Sequence, residues 1–204
     1  KNIHLKELIE SIFNKNNFSK YKKVPAGKAW HHAYIGGLLE HTLEIIKICD
    51  LMCDIHEELN RDLLICGAIL HDFGKIEELE YESAFDYTDR GKLLGHIVIA
   101  ASLIEKESDK IKEFPVKLRD QLIHLVLSHQ GKLEYASPVV PKTLESIVLY
   151  HADELSAKTN AYKGAVLNEL NSDNKWTKYL PLAETSVYIP DSLRDKDDFK
   201  ESLF

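Results

Sequence analysis

Six polar side chains of this chain fall on the apolar faces of helical segments, and any fold must dispose of them together. His41 lies on the stripe Leu38, Ile45, Ile48 and Met52, at steps of three and four. His96 shares a face with Ile99, Ala100 and Leu103, and His129 continues Leu118, Leu122 and Leu125. His71-Asp72 closes the most apolar stretch, residues 63–70, where the free carbonyls of a helix end carry partial negative charge and favour a cation. Asp153 falls beside Leu149, Tyr150 and Ala157 in the last long periodic segment. Buried imidazoles and carboxylates are costly unless partnered. Four inward histidines and two carboxylates on five helices cannot satisfy one another cheaply. A divalent ion can, because neutral imidazole and carboxylate are the ligands that borderline and hard cations take. Singly, each histidine reads as a hydrogen-bonded core residue; as a set, with Gly74-Lys75 next, they read as a metal site.

Apolar spacing of period 3.6 runs to about residue 165. Leu5, Leu8, Ile9 and Ile12 predict a first short helix, followed by a basic loop with Lys20, Lys22, Lys23 and Lys28. Gly36-Gly37 leads into a helix through about Met52, and residues 63–70 form one that must be buried on every side. Gly74 is expected to end that helix as a C-terminal cap. Residues 77–89 read as an irregular acidic and aromatic excursion, with Glu77, Glu78, Glu80 and Glu82 on solvent. Helices resume over 92–107, 115–128 and 141–160, the last two each opened by a proline near the first turn. Residues 176–189 predict a short strand or hairpin, and 191–204 a charged, mobile tail. The expected class is all-α, a helical bundle with a possible short strand near its C-terminus. It divides into residues 1–30 (N-terminal helix and basic loop packed on the domain), 31–170 (the metal-binding domain) and 171–204 (a C-terminal extension).

Composition narrows the function. With 44% hydrophobic and 29% charged residues, the 204-residue chain is ordinary globular protein. No apolar stretch approaches the roughly 18 residues of a membrane span, so no membrane partner is expected. A net charge of −7 argues against binding nucleic acid by bulk positive charge. Cys49, Cys53 and Cys66 are odd in number, lack CxxC spacing and lie among aliphatic neighbours, which predicts reduced core thiols in a cytoplasmic protein.

The ordered pattern H…HD…H…H…D, with His71-Asp72-Phe73-Gly74-Lys75 as an HDxGK core, resembles the HD-domain metal-dependent phosphohydrolases. A closer likeness runs from residue 31 to about 158. His31-His32-Ala33-Tyr34, Gly36-Gly37-Leu38 with His41, and Asp89-Arg90-Gly91-Lys92-Leu93-Leu94-Gly95-His96 are similar to stretches of the YhaM-type 3′→5′ exoribonucleases. So are Leu127-Ser128-His129, Gly131-Lys132-Leu133-Glu134-Tyr135, Ser137-Pro138 and His151-Ala152-Asp153-Glu154-Leu155. The resemblance implies an HD helical fold and divalent-ion-dependent cleavage of phosphodiesters, from the 3′ end of single-stranded RNA or DNA. It places one ion on His41, His71, Asp72 and Asp153. Asp72 bridges to a second, completed by His96 and His129; the ions are Mn, Fe, Co, Ni or Zn. Asp72 and Lys75 are the catalytic residues it implies, Lys75 touching a phosphate oxygen. Arg90 lies in a matched stretch as a candidate substrate contact.

The chain also departs from the family. Gln130 replaces the second histidine of its Ser-His-His-Gly stretch and becomes a candidate substrate contact, and Ala136 replaces a glycine. The family's N-terminal oligonucleotide-binding barrel cannot be formed by residues 1–30; with Lys1 rather than Met opening the chain, a longer protein or a stand-alone relative with a smaller substrate are both open readings. No oligomeric state is implied. His31 and His32 either contact substrate, with His32 able to donate a proton to the leaving oxygen, or cap the helix that follows. The lysines at 20–28 are either a solvated face or local positive charge beside them, and Trp30, Tyr34 and Tyr135 either stack bases or belong to the core. His151 is read as a core support for the metal site and His124 as exposed; His4 and His56 carry no case. Two other functions stay in play, a phosphohydrolase of nucleotides or small phosphate esters and a non-catalytic metal-bound signalling module.

Overall fold

The helical spacing becomes eight α-helices among the described residues of a computed structural model, which are 1–28, 31–80 and 86–194. They are α1 (Ile3–Ile12), α2 (Lys15–Tyr21), α3 (Gly37–Ile55), α4 (Arg61–Leu70), α5 (Lys75–Glu78), α6 (Asp89–Ser108), α7 (Val116–Ser128) and α8 (Leu144–Glu169). Two short antiparallel strands, β1 (Leu79–Glu80) and β2 (Asp86–Tyr87), pair Leu79 with Tyr87 and Glu80 with Asp86. The chain forms two compact units, Lys1–Ser156 and Ala157–Phe204.

In the first unit the core collects one stripe from each helix: Leu8 and Ile12, Leu38 and Ile45, Leu63, Leu64 and Leu70, Ile104, Leu122 and Leu125 are all essentially inaccessible. Each such side chain contributes about 1.5–3 kcal/mol by leaving water. Polar side chains cap the starts: Asn2 accepts from the Leu5 amide, Asn60 from Leu63 and Thr88 from Gly91. An aromatic stack fixes the N-terminal segment to the HD turn. Phe73 packs edge-on to Phe13 at 4.8 Å and face-to-face with Tyr21 at 5.6 Å, and the Tyr21 hydroxyl meets Thr42 Oγ1 at 2.6 Å.

Several boundaries differ from expectation. Part of the basic segment is helical, because Asn14 caps α2 and Tyr21 anchors it in the core. Residues 77–80 and 86–89 are ordered into α5, the strand pair and the start of α6, while 81–85, including Glu82, lie outside the described residues. Pro141 does not open α8. Thr143 does, since its Oγ1 accepts from the Ser146 amide while Ser146 Oγ accepts from the Thr143 amide. Gly74 is no C-terminal cap: its φ of −59° is right-handed, and it leads into α5. Its reason is space, because a Cβ there would stand 2.1 Å from the His96 carbonyl oxygen.

In the second unit the expected hairpin takes the form of two isolated antiparallel bridges, Trp176 with Tyr188 and Leu180 with Thr185. The Arg194 guanidinium closes this segment by donating to the carbonyls of Leu170, Ser172 and Asn174. The tail expected to be mobile lies, beyond residue 194, outside the described residues.

Candidate metal centre

The fold brings all six inward polar residues to one place. His41 comes from the middle of α3, His71 and Asp72 from the end of α4, His129 from the end of α7, and Asp153 from α8. His96 comes from α6, immediately after a break at Gly95, whose φ of 71° and ψ of 153° interrupt the helix. Asp72 is the hub. Its Oδ2 stands 3.8 Å from His41 Nε2 and 3.4 Å from His71 Nε2, and its Oδ1 stands 3.3 Å from His96 Nε2 and 3.7 Å from His129 Nε2. Asp153 Oδ1 lies 3.0 Å from His41 Nε2. Two groups result, His41–His71–Asp153 and Asp72–His96–His129, each with donor atoms within 4.8 Å of one another and able to hold an ion.

The hydrogen bonds settle which nitrogen of each ring faces the centre. His71 Nδ1 lies 2.9 Å from the Ala68 carbonyl and His129 Nδ1 2.7 Å from that of Val126. A carbonyl only accepts, so both Nδ1 atoms carry a proton, and in the neutral ring each Nε2 presents a lone pair. His96 Nδ1 donates to Glu78 Oε1 at 3.0 Å, and the same oxygen accepts the His96 amide at 2.9 Å. Around His41, Ser156 Oγ donates its one proton to Glu44 Oε2 at 2.7 Å, and must therefore accept from His41 Nδ1 at 2.9 Å. All four Nε2 lone pairs point inward, the arrangement that outer partners impose on metal-ligating histidines.

Those inward atoms are what a cation would satisfy. His41 Nε2, His71 Nε2, His96 Nε2 and Asp72 Oδ1 are buried and have no hydrogen-bond partner among the described residues. The donors suit a divalent ion of the borderline class. Protonation states suit it too. Burial, joined by the charge of His71, lowers the His129 pKa to about 4, so the ring is neutral near pH 7. Burial would raise Asp72, but Lys75, His71 and His96 outweigh it and hold the carboxyl well below the usual range. Asp153 is likewise lowered against its burial, chiefly by His41. Burial would lower the His71 pKa, yet the Asp72 charge raises it, the mark of a carboxylate pair short of positive charge.

The remaining expected site residues divide. Lys75 joins the centre: buried, it donates to Asp72 Oδ2 at 2.6 Å and to the Ala26 carbonyl at 2.5 Å, and Asp72 raises its pKa against the pull of burial. Gln130 lies at the edge, its amide donating to His129 Nε2 at 3.1 Å, where an ion would displace it. His31 lies beside His41, the two rings tilted with centroids 4.9 Å apart, and burial first, then Lys75 and His41, lower its pKa to about 3. His32 is buried, with Nε2 3.4 Å from Glu44 Oε2. Arg90 is not brought in; its Nε pairs with Glu77 Oε2 at 2.9 Å on an exposed face. His151 is exposed 4.0 Å from Glu154 rather than supporting the core, and His124 is half-buried, its Nε2 accepting the Lys142 amide at 3.0 Å. Trp30 lies outside the described residues, and Tyr34 and Tyr135 are both exposed.

Glu78, expected on solvent, is instead buried and holds His96. Nothing in the run Glu77, Glu78, Glu80 distinguishes it. Ser156 carried a usable signal: three residues beyond Asp153, it falls on the same face of α8.

A helical bundle around a buried H…HD…H…H…D centre defines an HD domain, and the family model described as "HD domain" matches residues 38–158, a span that contains all six residues. The chain belongs to the HD domain family. It is 32% identical over 192 residues to the 3′-5′ exoribonuclease YhaM of Bacillus subtilis (strain 168), covering 93% of this chain and 60% of that protein. To the 3′-5′ exoribonuclease YhaM of Geobacillus sp. (strain WCH70) it is 39% identical over 175 residues, covering 84% and 52%. The protein of that name from Bacillus licheniformis is 35% identical over 168 residues, covering 81% and 52%. The chain thus spans between half and three-fifths of the length of these relatives. No solved structure matches it. No helix among the described residues is long and apolar enough to cross a membrane.

Proposed function

We propose that this chain is a two-metal phosphodiesterase domain that removes nucleotides from the 3′ end of single-stranded RNA. The observation that carries the reading is the division of Asp72, one oxygen turned to His41 and His71 and the other to His96 and His129. On this reading His41, His71 and Asp153 would hold one ion, His96 and His129 the other, and Asp72 would contribute a carboxylate oxygen to each. Two such ions, when bound, supply Lewis acidity at the phosphoryl oxygens and lower the pKa of an attacking water. Mn, Fe, Co, Ni and Zn all accept these donors, so availability selects among them.

The chain's own residues do the rest. Lys75 keeps its charge while buried, held between Asp72 and the Ala26 carbonyl, and sets a fixed cation against the scissile phosphate. His31, neutral at pH 7 with neither ring nitrogen hydrogen-bonded among the described residues, offers one N–H to a phosphate oxygen. Glu78 and the Ser156–Glu44 pair hold protons on Nδ1 of His96 and His41, keeping Nε2 a ligand atom. All of these residues lie within the first compact unit, Lys1–Ser156. Three free thiols support a cytoplasmic placement.

The exoribonuclease names of these relatives favour RNA over a mononucleotide. The test is purified protein with Mn²⁺ on 5′-end-labelled single-stranded RNA, single-stranded DNA and a nucleotide panel, beside Asp72→Ala. A ladder shortening from the 3′ end, absent with Asp72→Ala, is the expected result. Phosphate released from mononucleotides alone would overturn it in favour of a nucleotide phosphohydrolase, and no metal-dependent turnover would leave a non-catalytic module.

A further inference from the structure

A cavity of about 320 Å³ opens directly beside the second donor set, with His96, Lys75 and His31 on the wall nearest the centre. The loop carrying Ala26 and Lys28 and the strand pair, through Leu79 and Tyr87, complete the lining, the Ala26 carbonyl accepting from Lys75 Nζ. Three observations say what such a space takes. Its volume is at the small end of ligand pockets, the scale of one small organic group. Its charged groups are already answered: Lys28 Nζ pairs with Asp86 Oδ1 at 3.1 Å, Lys75 with Asp72, and Glu78 with His96. Among the described lining residues no cation is left over for a second phosphate, so the pocket suits an uncharged group hanging from a phosphate held at the metal centre. And it offers a π-face. Tyr87 is 39% exposed, held by its backbone pairing to Leu79, with the Lys28 ammonium 6.0 Å from its ring centroid.

We propose that this cavity seats the 3′-terminal nucleoside of the substrate, with its base stacked on Tyr87 and its 5′-phosphate at the two donor sets. The inference rests on the nuclease reading and adds to it the terminal subsite. Stacking tolerates every base, which fits an enzyme that must remove each in turn.

The test uses the full chain with Mn²⁺, wild type against Tyr87→Ala and Tyr87→Trp. Binding of adenosine 5′-monophosphate is followed by calorimetry, and steady-state kinetics are measured on single-stranded RNA ending in a 3′-hydroxyl. Tyr87 is exposed and contributes only its backbone to the strand pair, so both variants keep the fold. Tyr87→Ala is expected to weaken the monophosphate and raise KM by about tenfold, the usual scale of a lost base–aromatic stack, with kcat held. Tyr87→Trp retains both. Adenosine 3′,5′-bisphosphate, whose second phosphate would enter the pocket, binds more weakly than the monophosphate. An affinity and a KM indifferent to Tyr87→Ala, or tighter binding of the bisphosphate, overturn the assignment even if RNA is shortened. RNA left intact while monophosphate binding still depends on Tyr87 breaks the nuclease reading instead, and keeps the pocket as a nucleotide site.

Discussion

His71 and His129 each stand at the C-terminal end of a helix, where carbonyls lack intrahelical partners, and each turns Nδ1 onto the carbonyl three residues back. His41 and His96 have no such neighbour. The carbonyls around His41 are spent inside α3, so its Nδ1 reaches Ser156, 115 residues away, which is held in turn by Glu44. His96 follows the break at Gly95, which leaves its amide without a helical acceptor, and one oxygen of Glu78 takes both that amide and Nδ1. Each donor set therefore combines one ring oriented by its own helix with one oriented by packing. A helix end comes with folding of the helix alone. An imported partner exists only once the unit has closed, so the centre is half preset and half assembled.

The largest effect should come from the residue both halves share. Asp72→Ala removes an oxygen from each set at once and should lower metal affinity by more than the roughly 100-fold seen for outer partners. Metal content of the purified variant checks it, and retention of a full complement would show that the two sets do not depend on a bridge.

Breaking the imported halves comes next. Glu78→Ala frees both the ring and the amide of His96 and should weaken the second set by about 10–100-fold. Glu78→Gln keeps a carbonyl oxygen as acceptor and should cost much less. A Mn²⁺ titration separates the two, and equal losses would mean that Glu78 acts by charge and not by orientation.

Gly74→Ala pushes the same histidine by a different route. Its Cβ would meet the His96 carbonyl oxygen at 2.1 Å. Thermal unfolding should show a loss of about 1–3 kcal/mol, as for an overpacked core, with weaker metal binding as the second readout. An unchanged melting temperature would mean that the α5 turn yields without cost.

Ser156→Ala should do less, about tenfold in metal affinity, the low end for an outer partner, because the fully buried His41 ring stays wedged in place. A loss equal to that of Glu78→Ala would make hydrogen bonding, and not packing, the dominant constraint on both rings. Arg90→Ala marks the floor. It removes an exposed pair with Glu77, and both stability and KM should stay within about 0.5 kcal/mol of wild type.

The inward stripes around His41, His96 and His129 were readable because a polar side chain on an apolar face has few ways to be satisfied. The basic segment and the glycine at position 74 depart from their local pattern for a common reason: the cause of each lies outside its own composition. Lys20 belongs to a helix because Asn14 caps it and Tyr21 anchors it, and Gly74 is small because His96, 22 positions on, passes over it. His151 reads as inward from its neighbours Ile147 and Leu155, yet all three are exposed, a face that helical periodicity alone assigns to the core.

By itself the sequence determined that this chain must gather four histidines and two carboxylates inside a helical bundle, because their burial is unaffordable one at a time and tolerable around a cation. It also placed His71 and His129 just past helical segments, and the structure shows that the carbonyls of those helix ends orient both rings. Only the tertiary structure decided that one carboxylate faces both sets, that Glu78 leaves an acidic run to hold His96, and that Ser156 and Glu44 serve His41. Those are contacts between distant segments. Their energy depends on burial and on which lone pair is already taken, and neither exists until the helices have packed.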